Sequence, residues 1–185
     1  MGVDVSRGGS DDTVLILRYS TPSGDWIARP VRYPGQVIRS GGQVTQAILQ
    51  HWKEGVKVCI DAIGPGASVV DSARGYIPEE CIIPINGGST SYERSRIGGR
   101  PTPFKNTRCE LYWRIREALE PEHGTGMMLP PDDRMKDELN TIRWEAGSSI
   151  GIEKKEKVQQ RIGRSPDTSD ALTYALYEQP YLGFL

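Results

Sequence analysis

Gly2-Val3-Asp4-Val5 and Val58-Cys59-Ile60-Asp61-Ala62 each set one aspartate inside a short apolar run with β-branched residues. Runs of this kind read as strands of a sheet that is covered on both faces. A lone carboxylate in such a place costs several kcal/mol unless something compensates it. A third stretch, Ser165-Pro166-Asp167-Thr168-Ser169-Asp170-Ala171-Leu172, puts two aspartates at i and i+3 in the first turn of a predicted helix. Acidic positions on three separate elements call for a shared counter-charge, and a divalent cation is the simplest one. Carboxylate oxygens suit Mg²⁺ or Mn²⁺. Two such ions about 4 Å apart make a phosphodiester-cleaving site.

Outward from these stretches, the pattern predicts a strand over 2–5, a Gly/Ser/Asp turn over 6–12, a second strand over 13–19 and a third over 26–33. Pro30 suits an edge strand, because it cannot donate to a ladder. Apolar residues at Val44, Ala47, Ile48 and Trp52, with Gly55 behind them, predict a helix over 43–54. A strand over 56–63, a short helix over 68–74 and a strand over 80–85 follow. Residues 86–105 are rich in Gly, Ser and Arg and read as an exposed loop or hairpin. Helices are predicted over 106–119, from 132, within 153–164 and over 166–179, with a hairpin over 141–152 around Gly147-Ser148-Ser149. The order βββ-α-β-α-β-α reads as α/β. It implies a mixed central sheet, a three-strand meander plus strands joined through helices, flanked by helices. That order resembles the ribonuclease-H-like plan, in which acids from the first strand, the fourth strand and a C-terminal helix meet at one sheet edge.

Composition narrows the class. At 185 residues the chain is most simply one domain, 1–185. With 23 basic and 24 acidic residues the formal charge is −1, so a nucleic-acid partner requires a local basic surface. The three cysteines, 59, 81 and 109, form no CxxC and read as reduced thiols of a cytosolic protein. With only His51 and His123, a His/Cys zinc site is disfavoured. No apolar run reaches the length of a membrane span. Gly2 fits a loose myristoylation pattern, but acylation would pull the first strand from its sheet, so a core strand is the better reading. A chain opening on its first strand reads as a domain excised at Met1.

Local basic surface is present. Arg94, Arg96, Arg100, Lys105, Arg108, Arg114 and Arg116 face only Glu93 and Glu110 between Tyr92 and Arg116, a local charge of +5. Lys154, Lys155, Lys157, Arg161 and Arg164 form a second basic stretch before Asp167. Arg94, Arg96, Arg100, Lys105, Lys154, Lys155, Arg161 and Arg164 are the candidate contacts to a nucleic-acid backbone. Gly64-Pro65-Gly66 between a strand and a helix is either a tight turn or a phosphate cradle. The Lys-Ser/Thr of a P-loop is absent from the whole sequence. Of the acids, Asp4, Asp61 and Asp170 are the direct ligand candidates, with Asp167 as a fourth acidic residue that could instead serve the helix dipole.

Gly2 to Asp11, Ile60 to Asp71, Asn106-Thr107-Arg108-Cys109-Glu110-Leu111-Tyr112-Trp113 and Ser165 to Leu172 together resemble the nuclease domain of the large terminase subunit of tailed bacteriophages. The resemblance spans nearly the whole chain in the family's order. The paired acids before Ala171-Leu172 are also similar to the end of Holliday-junction resolvases. The resemblance implies a metal-dependent endonuclease that cuts concatemeric viral DNA during genome packaging by a two-metal-ion mechanism. It implies double-stranded DNA as substrate, the portal and small terminase subunit as partners of the full subunit, and the host cytoplasm as location. It also implies that an N-terminal ATPase has been left out of this chain. Asp4, Asp61 and Asp170, with Asp167, take the roles of catalytic metal ligands. Alternatives are a junction-resolvase or transposase-like nuclease, a non-catalytic DNA-binding or portal-docking module, and an actin-like phosphotransferase, for which one lobe is too little.

Overall fold

A computed structural model of the chain describes residues 1–6, 8–9, 11–97, 99–145 and 147–178. Arg7 and Ser10 of the first turn, Gly98, Ala146 and the expected helix end at Gln179 lie outside the described residues. The strands are β1 (Gly2–Asp4), β2 (Asp12–Ile16), β3 (Arg18–Thr21), β4 (Gly24–Ile27) and β5 (Val31–Pro34). Helix α1 (Gly41–His51), β6 (Val58–Asp61), α2 (Pro65–Ala73) and β7 (Ile82–Ile85) follow. The hairpin β8 (Arg94–Ile97) and β9 (Arg100–Pro103) precedes α3 (Thr107–Ala118) and α4 (Asp133–Thr141). The chain ends in β10 (Trp144–Glu145), β11 (Gly151–Ile152), α5 (Lys155–Ile162) and α6 (Asp167–Ala175).

Five strands form the central sheet in the order β5-β2-β1-β6-β7. β2 runs antiparallel to β1 and β5, while β1, β6 and β7 run parallel. The sheet is therefore mixed, as the element order implies. The meander differs in detail. The predicted second and third strands each divide in two, and their inner halves pair separately as the β3–β4 hairpin. The breaks fall at Leu17 and at Ala28-Arg29-Pro30. Pro30 has no amide hydrogen to give a ladder, and β5 beyond it occupies the sheet edge.

Two apolar layers cover the sheet. Val3, Leu15, Val58 and Ile60 pack with Val44, Ile48, Val69 and Val70 of α1 and α2 on one face. Val14 and Ile16 pack with Tyr112 and Ile115 of α3 and with Ala171, Leu172 and Ala175 of α6 on the other. The alternation along β2 (Val14, Leu15, Ile16) sends neighbours to opposite layers, as a pleated strand requires.

Helix starts follow local chemistry. Ser40 and Gln43 form a reciprocal capping box at α1. Asn106 caps α3 through the Cys109 amide at 3.0 Å. Asp132 caps α4 through the Met135 amide at 2.9 Å and also grips Arg32 of β5 at 2.7 and 2.9 Å. Helix α6 has Pro166 at its cap position and no side-chain cap of its own. A carboxylate from another element does the work: Glu138 of α4 accepts the Ser169 amide at 2.7 Å.

Two close approaches set the geometry of the acidic edge. A Cβ on Gly2 would stand 2.1 Å from the Ala171 carbonyl oxygen and 2.2 Å from the Ala175 nitrogen. Only glycine lets α6 lie this close to β1. A Cβ on Gly66 would stand 1.6 Å from the Asp61 carbonyl oxygen, so the second glycine of Gly64-Pro65-Gly66 is required by the approach of α2 to the end of β6. That is the tight-turn reading of the motif.

Candidate active site

The register pairs Gly2 with Cys59 and Val3 with Ile60 in parallel strands. Asp4 and Asp61 are therefore neighbours at the carboxyl ends of β1 and β6, where open α/β sheets form their crevices. The packing of α6 on β1 brings Asp167 and Asp170 to the same edge. All four acids line one hollow of about 760 Å³, together with Lys105, Arg108, Lys154, Lys155 and Tyr174. Asp4, Asp167 and Asp170 are 3–4% exposed, and Asp61 is half-buried.

The cluster is held by one ammonium. Lys155 Nζ lies 2.8 Å from Asp170 Oδ2, 3.2 Å from Asp167 Oδ1 and 3.8 Å from Asp4 Oδ2. Burial would lower the Lys155 pKa, but the charges of Asp170, Asp4 and Asp167 outweigh it and hold the amine well above its usual range. Burial, with repulsion from Asp170, Asp167 and Asp61, pushes Asp4 well above the usual carboxylate range despite Lys155. Burial also raises Asp61, against hydrogen bonds from the Ile63 amide and the Tyr174 hydroxyl. Asp170 goes the other way. Burial is outweighed by Lys155, Arg108 and the Tyr112 hydroxyl, which hold it below the usual range. Burial is thus the main reason that Asp4 and Asp61 resist ionisation, with repulsion among the acids added to it.

Three of the four acids have distinct fixing partners. Asp170 Oδ1 accepts the Tyr112 hydroxyl at 2.6 Å and lies 3.7 Å from Arg108 Nε. Asp167 Oδ2 accepts the Asp12 amide at 3.1 Å. Asp61 Oδ1 accepts the Ile63 amide at 3.1 Å. One layer further out, Glu138 is fully buried and sits 3.6 Å from Arg164 Nη2. Burial, partly offset by the Ser169 amide and Arg164, raises its pKa to about 7.

The basic candidates scatter over different settings. Lys105 and Lys154 are exposed beside the acidic hollow, whereas Lys155 stands inside the cluster. Arg161 pairs with buried Glu153 and donates to the Thr141 carbonyl. Arg164 pairs with Glu138 and donates to the Arg134 carbonyl. Arg94, Arg96 and Arg100 are exposed on the β8–β9 hairpin. Arg96 lines a separate hollow with Arg18, Arg114 and Arg116 and with Asp25, Glu117, Glu120 and Glu178.

Sequence reasoning missed Tyr112, Tyr174, Arg108 and Glu138 as members of the site. Tyr112 reads as part of an apolar stripe, and only its hydroxyl, which a buried tyrosine must satisfy, hints otherwise. Glu138 carries no sequence signal, because its partner amide is 31 residues away.

The chain matches no family model and no curated protein. It is similar to solved structures of the nuclease domain of the large terminase subunit gp2 of bacterial virus Sf6. One of these, a K428A mutant with manganese and beta-thujaplicinol, superposes with a TM-score of 0.71 at 15% identity, over 97% of this chain and 89% of that one. Another has a TM-score of 0.68 at 16% identity, over the same shares. A K428A mutant with calcium gives 0.66 at 15% identity. The mixed sheet, the flanking helices and this likeness over nearly the whole chain show that the fold is the ribonuclease-H-like fold of a terminase nuclease domain.

Proposed function

We propose that this chain is a divalent-metal-dependent DNA endonuclease that hydrolyses phosphodiester bonds, and that 1–185 is a single nuclease domain belonging to a longer packaging subunit with an N-terminal ATPase. The observation that carries the reading is the meeting of Asp4, Asp61, Asp167 and Asp170 in one hollow, three of them around the Lys155 ammonium, in a fold shared with nuclease domains. The domain would cut concatemeric viral DNA in the host cytoplasm, where the full subunit would work with the portal and the small terminase subunit.

The donor set tests the metal. Among the described residues, no three or more carboxylate, imidazole or thiolate side chains stand arranged as a ready metal cage. The Lys155 ammonium stands among three of these carboxylates, those of Asp170, Asp167 and Asp4. The chemistry of the set still fits, because all four donors are hard carboxylate oxygens. Asp4, Asp61 and Asp170 would hold Mg²⁺ or Mn²⁺, two ions in the full site, with Asp167 as the fourth acid. Such ions, when bound, polarise a phosphate and make a water easier to deprotonate.

The chain's own residues do the rest. Lys155 neutralises the carboxylates and competes with any entering cation for their oxygens. Asp167 keeps Lys155 in the cluster and ties β2 to α6 through the Asp12 amide. Exposed Lys105 and Lys154 flank the hollow and suit the phosphates on either side of the cut. Arg94, Arg96 and Arg100 extend a basic surface along the hairpin for duplex backbone. Incubating supercoiled plasmid with the chain and Mn²⁺ or Mg²⁺ should give nicked and linear DNA, with none in EDTA. Intact plasmid under all conditions, with DNA still retained in a binding assay, would favour the non-catalytic alternative.

A further inference from the structure

The two oxygens of Asp170 are treated differently. Oδ1 accepts the Tyr112 hydroxyl at 2.6 Å and lies 3.7 Å from Arg108 Nε, whereas Oδ2 meets the Lys155 ammonium at 2.8 Å. Neither partner of Oδ1 can readily leave. Tyr112 is buried and shares a 3.0 Å hydrogen bond with Ser169 Oγ. Arg108 Nη1 donates to the Glu153 carbonyl at 2.9 Å, and the guanidinium lies over the Tyr112 ring at 4.8 Å. A phenol keeps its proton at neutral pH, so its hydroxyl is the donor to this carboxylate.

We propose that Tyr112 and Arg108 reserve Oδ1 of Asp170, so that this aspartate offers Oδ2 alone to a divalent cation and the site favours Mg²⁺ and Mn²⁺ over Ca²⁺. The inference rests on the metal reading above and names a specificity determinant within it. Ca²⁺ takes about six to eight oxygens and often both oxygens of one carboxylate. Mg²⁺ demands near-octahedral geometry with short bonds to single oxygens, and it keeps several waters. For Asp170 to grip through both oxygens, it must give up the 2.6 Å phenol hydrogen bond to its charged oxygen and leave the hydroxyl only the longer, neutral contact with Ser169 Oγ. That loss falls on the larger ion. Outer partners of metal ligands act in this way, by fixing which lone pair a ligand presents.

Tyr112→Phe tests it, because the ring and the Arg108 stack remain. Ser169 Oγ keeps its 2.9 Å bond to the Pro166 carbonyl. Titration calorimetry with MnCl₂ and with CaCl₂, without DNA, reads the affinity ratio in the unsubstituted chain and the variant. The unsubstituted chain should prefer Mn²⁺, and Tyr112→Phe should narrow that preference by about tenfold. An unchanged ratio overturns the proposal, whether both affinities hold or both fall together, since equal losses mark a merely structural hydroxyl. Arg108→Met carries the same expectation if Tyr112→Phe lacks the native circular-dichroism spectrum. Should the unsubstituted chain bind neither ion, the metal reading falls as well. If it binds Mn²⁺ and only the ratio fails to move, the metal reading stands and this inference alone is lost.

Discussion

Gly2→Ala tests the link between the fold and the acidic edge. The new methyl would enter α6 between the Ala171 carbonyl oxygen, at 2.1 Å, and the Ala175 nitrogen, at 2.2 Å. Non-bonded carbon contacts settle near about 3.5 Å, so the helix must retreat by roughly 1 Å or more. Both obstacles are backbone, and no side-chain rotamer can relieve them. Overpacking of this kind costs about 1–3 kcal/mol, and the absence of a yielding side chain argues for the upper end, about 3 kcal/mol. In a chain of this size that is a fall of about 6–12 °C in melting temperature. Asp170 rides on the same helix, so its carboxylate withdraws from Asp4 as the helix retreats. Displacements of about 1 Å can cost about 100-fold in rate. Thermal melts followed by circular dichroism in EDTA, paired with plasmid nicking in Mn²⁺, read both effects. A Gly2→Ala protein that melts and cuts like the original would refute the argument that this glycine sets the position of α6.

Asp4→Asn and Asp61→Asn should each abolish plasmid nicking while keeping the fold. In EDTA both should melt slightly higher than the original, since each removes a carboxylate whose ionisation burial opposes; full cutting by either variant would remove that residue from the site. Glu138 sets a pH dependence. Its folded pKa of about 7 lies above its unfolded value, so its stabilising effect is complete below about pH 4.5 and is lost as pH rises through 7. The loss is of order 3 kcal/mol. Glu138→Gln keeps a carbonyl for the Ser169 amide and should flatten the change in urea midpoint between pH 5 and 7.5, whereas an unaltered slope would assign it to other groups. Replacing Arg94, Arg96 and Arg100 with Ala should weaken duplex binding alike across sequences and reduce its salt dependence; a loss confined to particular sequences would point to base readout.

Much of the architecture was legible because it rests on local rules. Alternating and continuous apolar runs marked β1, β6 and β7, and the expected starts at 43, 106 and 132 fall within two residues of those of α1, α3 and α4. The hairpin around Gly147-Ser148-Ser149 and the Arg-rich β8–β9 hairpin were likewise visible as turns and composition. The meander was less so. Pro30 marks the break in the second divided strand, but the residues of the first, 13–19, have strand propensity throughout, and nothing local says that Leu17 ends one pairing and begins another. The choice of partner strand is a non-local decision.

The sequence by itself marked Asp4 and Asp61 as carboxylates inside apolar runs and Asp167 and Asp170 as paired acids at a helix start, for which a shared cation is the simplest counter-charge. It also determined the element order that can bring them together. Tertiary structure alone decided how they are held. Lys155 read as one of several basic residues in a stretch, yet it is the ammonium among three carboxylates, while its neighbours Arg161 and Arg164 are taken up by buried Glu153 and Glu138. Tyr112, 58 residues before Asp170, fixes one oxygen of that acid. The physical reason is one of range. Propensity, capping and periodicity act over a few residues and leave their mark in order, whereas charge neutralisation and hydrogen bonding act through space and leave no trace in the spacing of the chain.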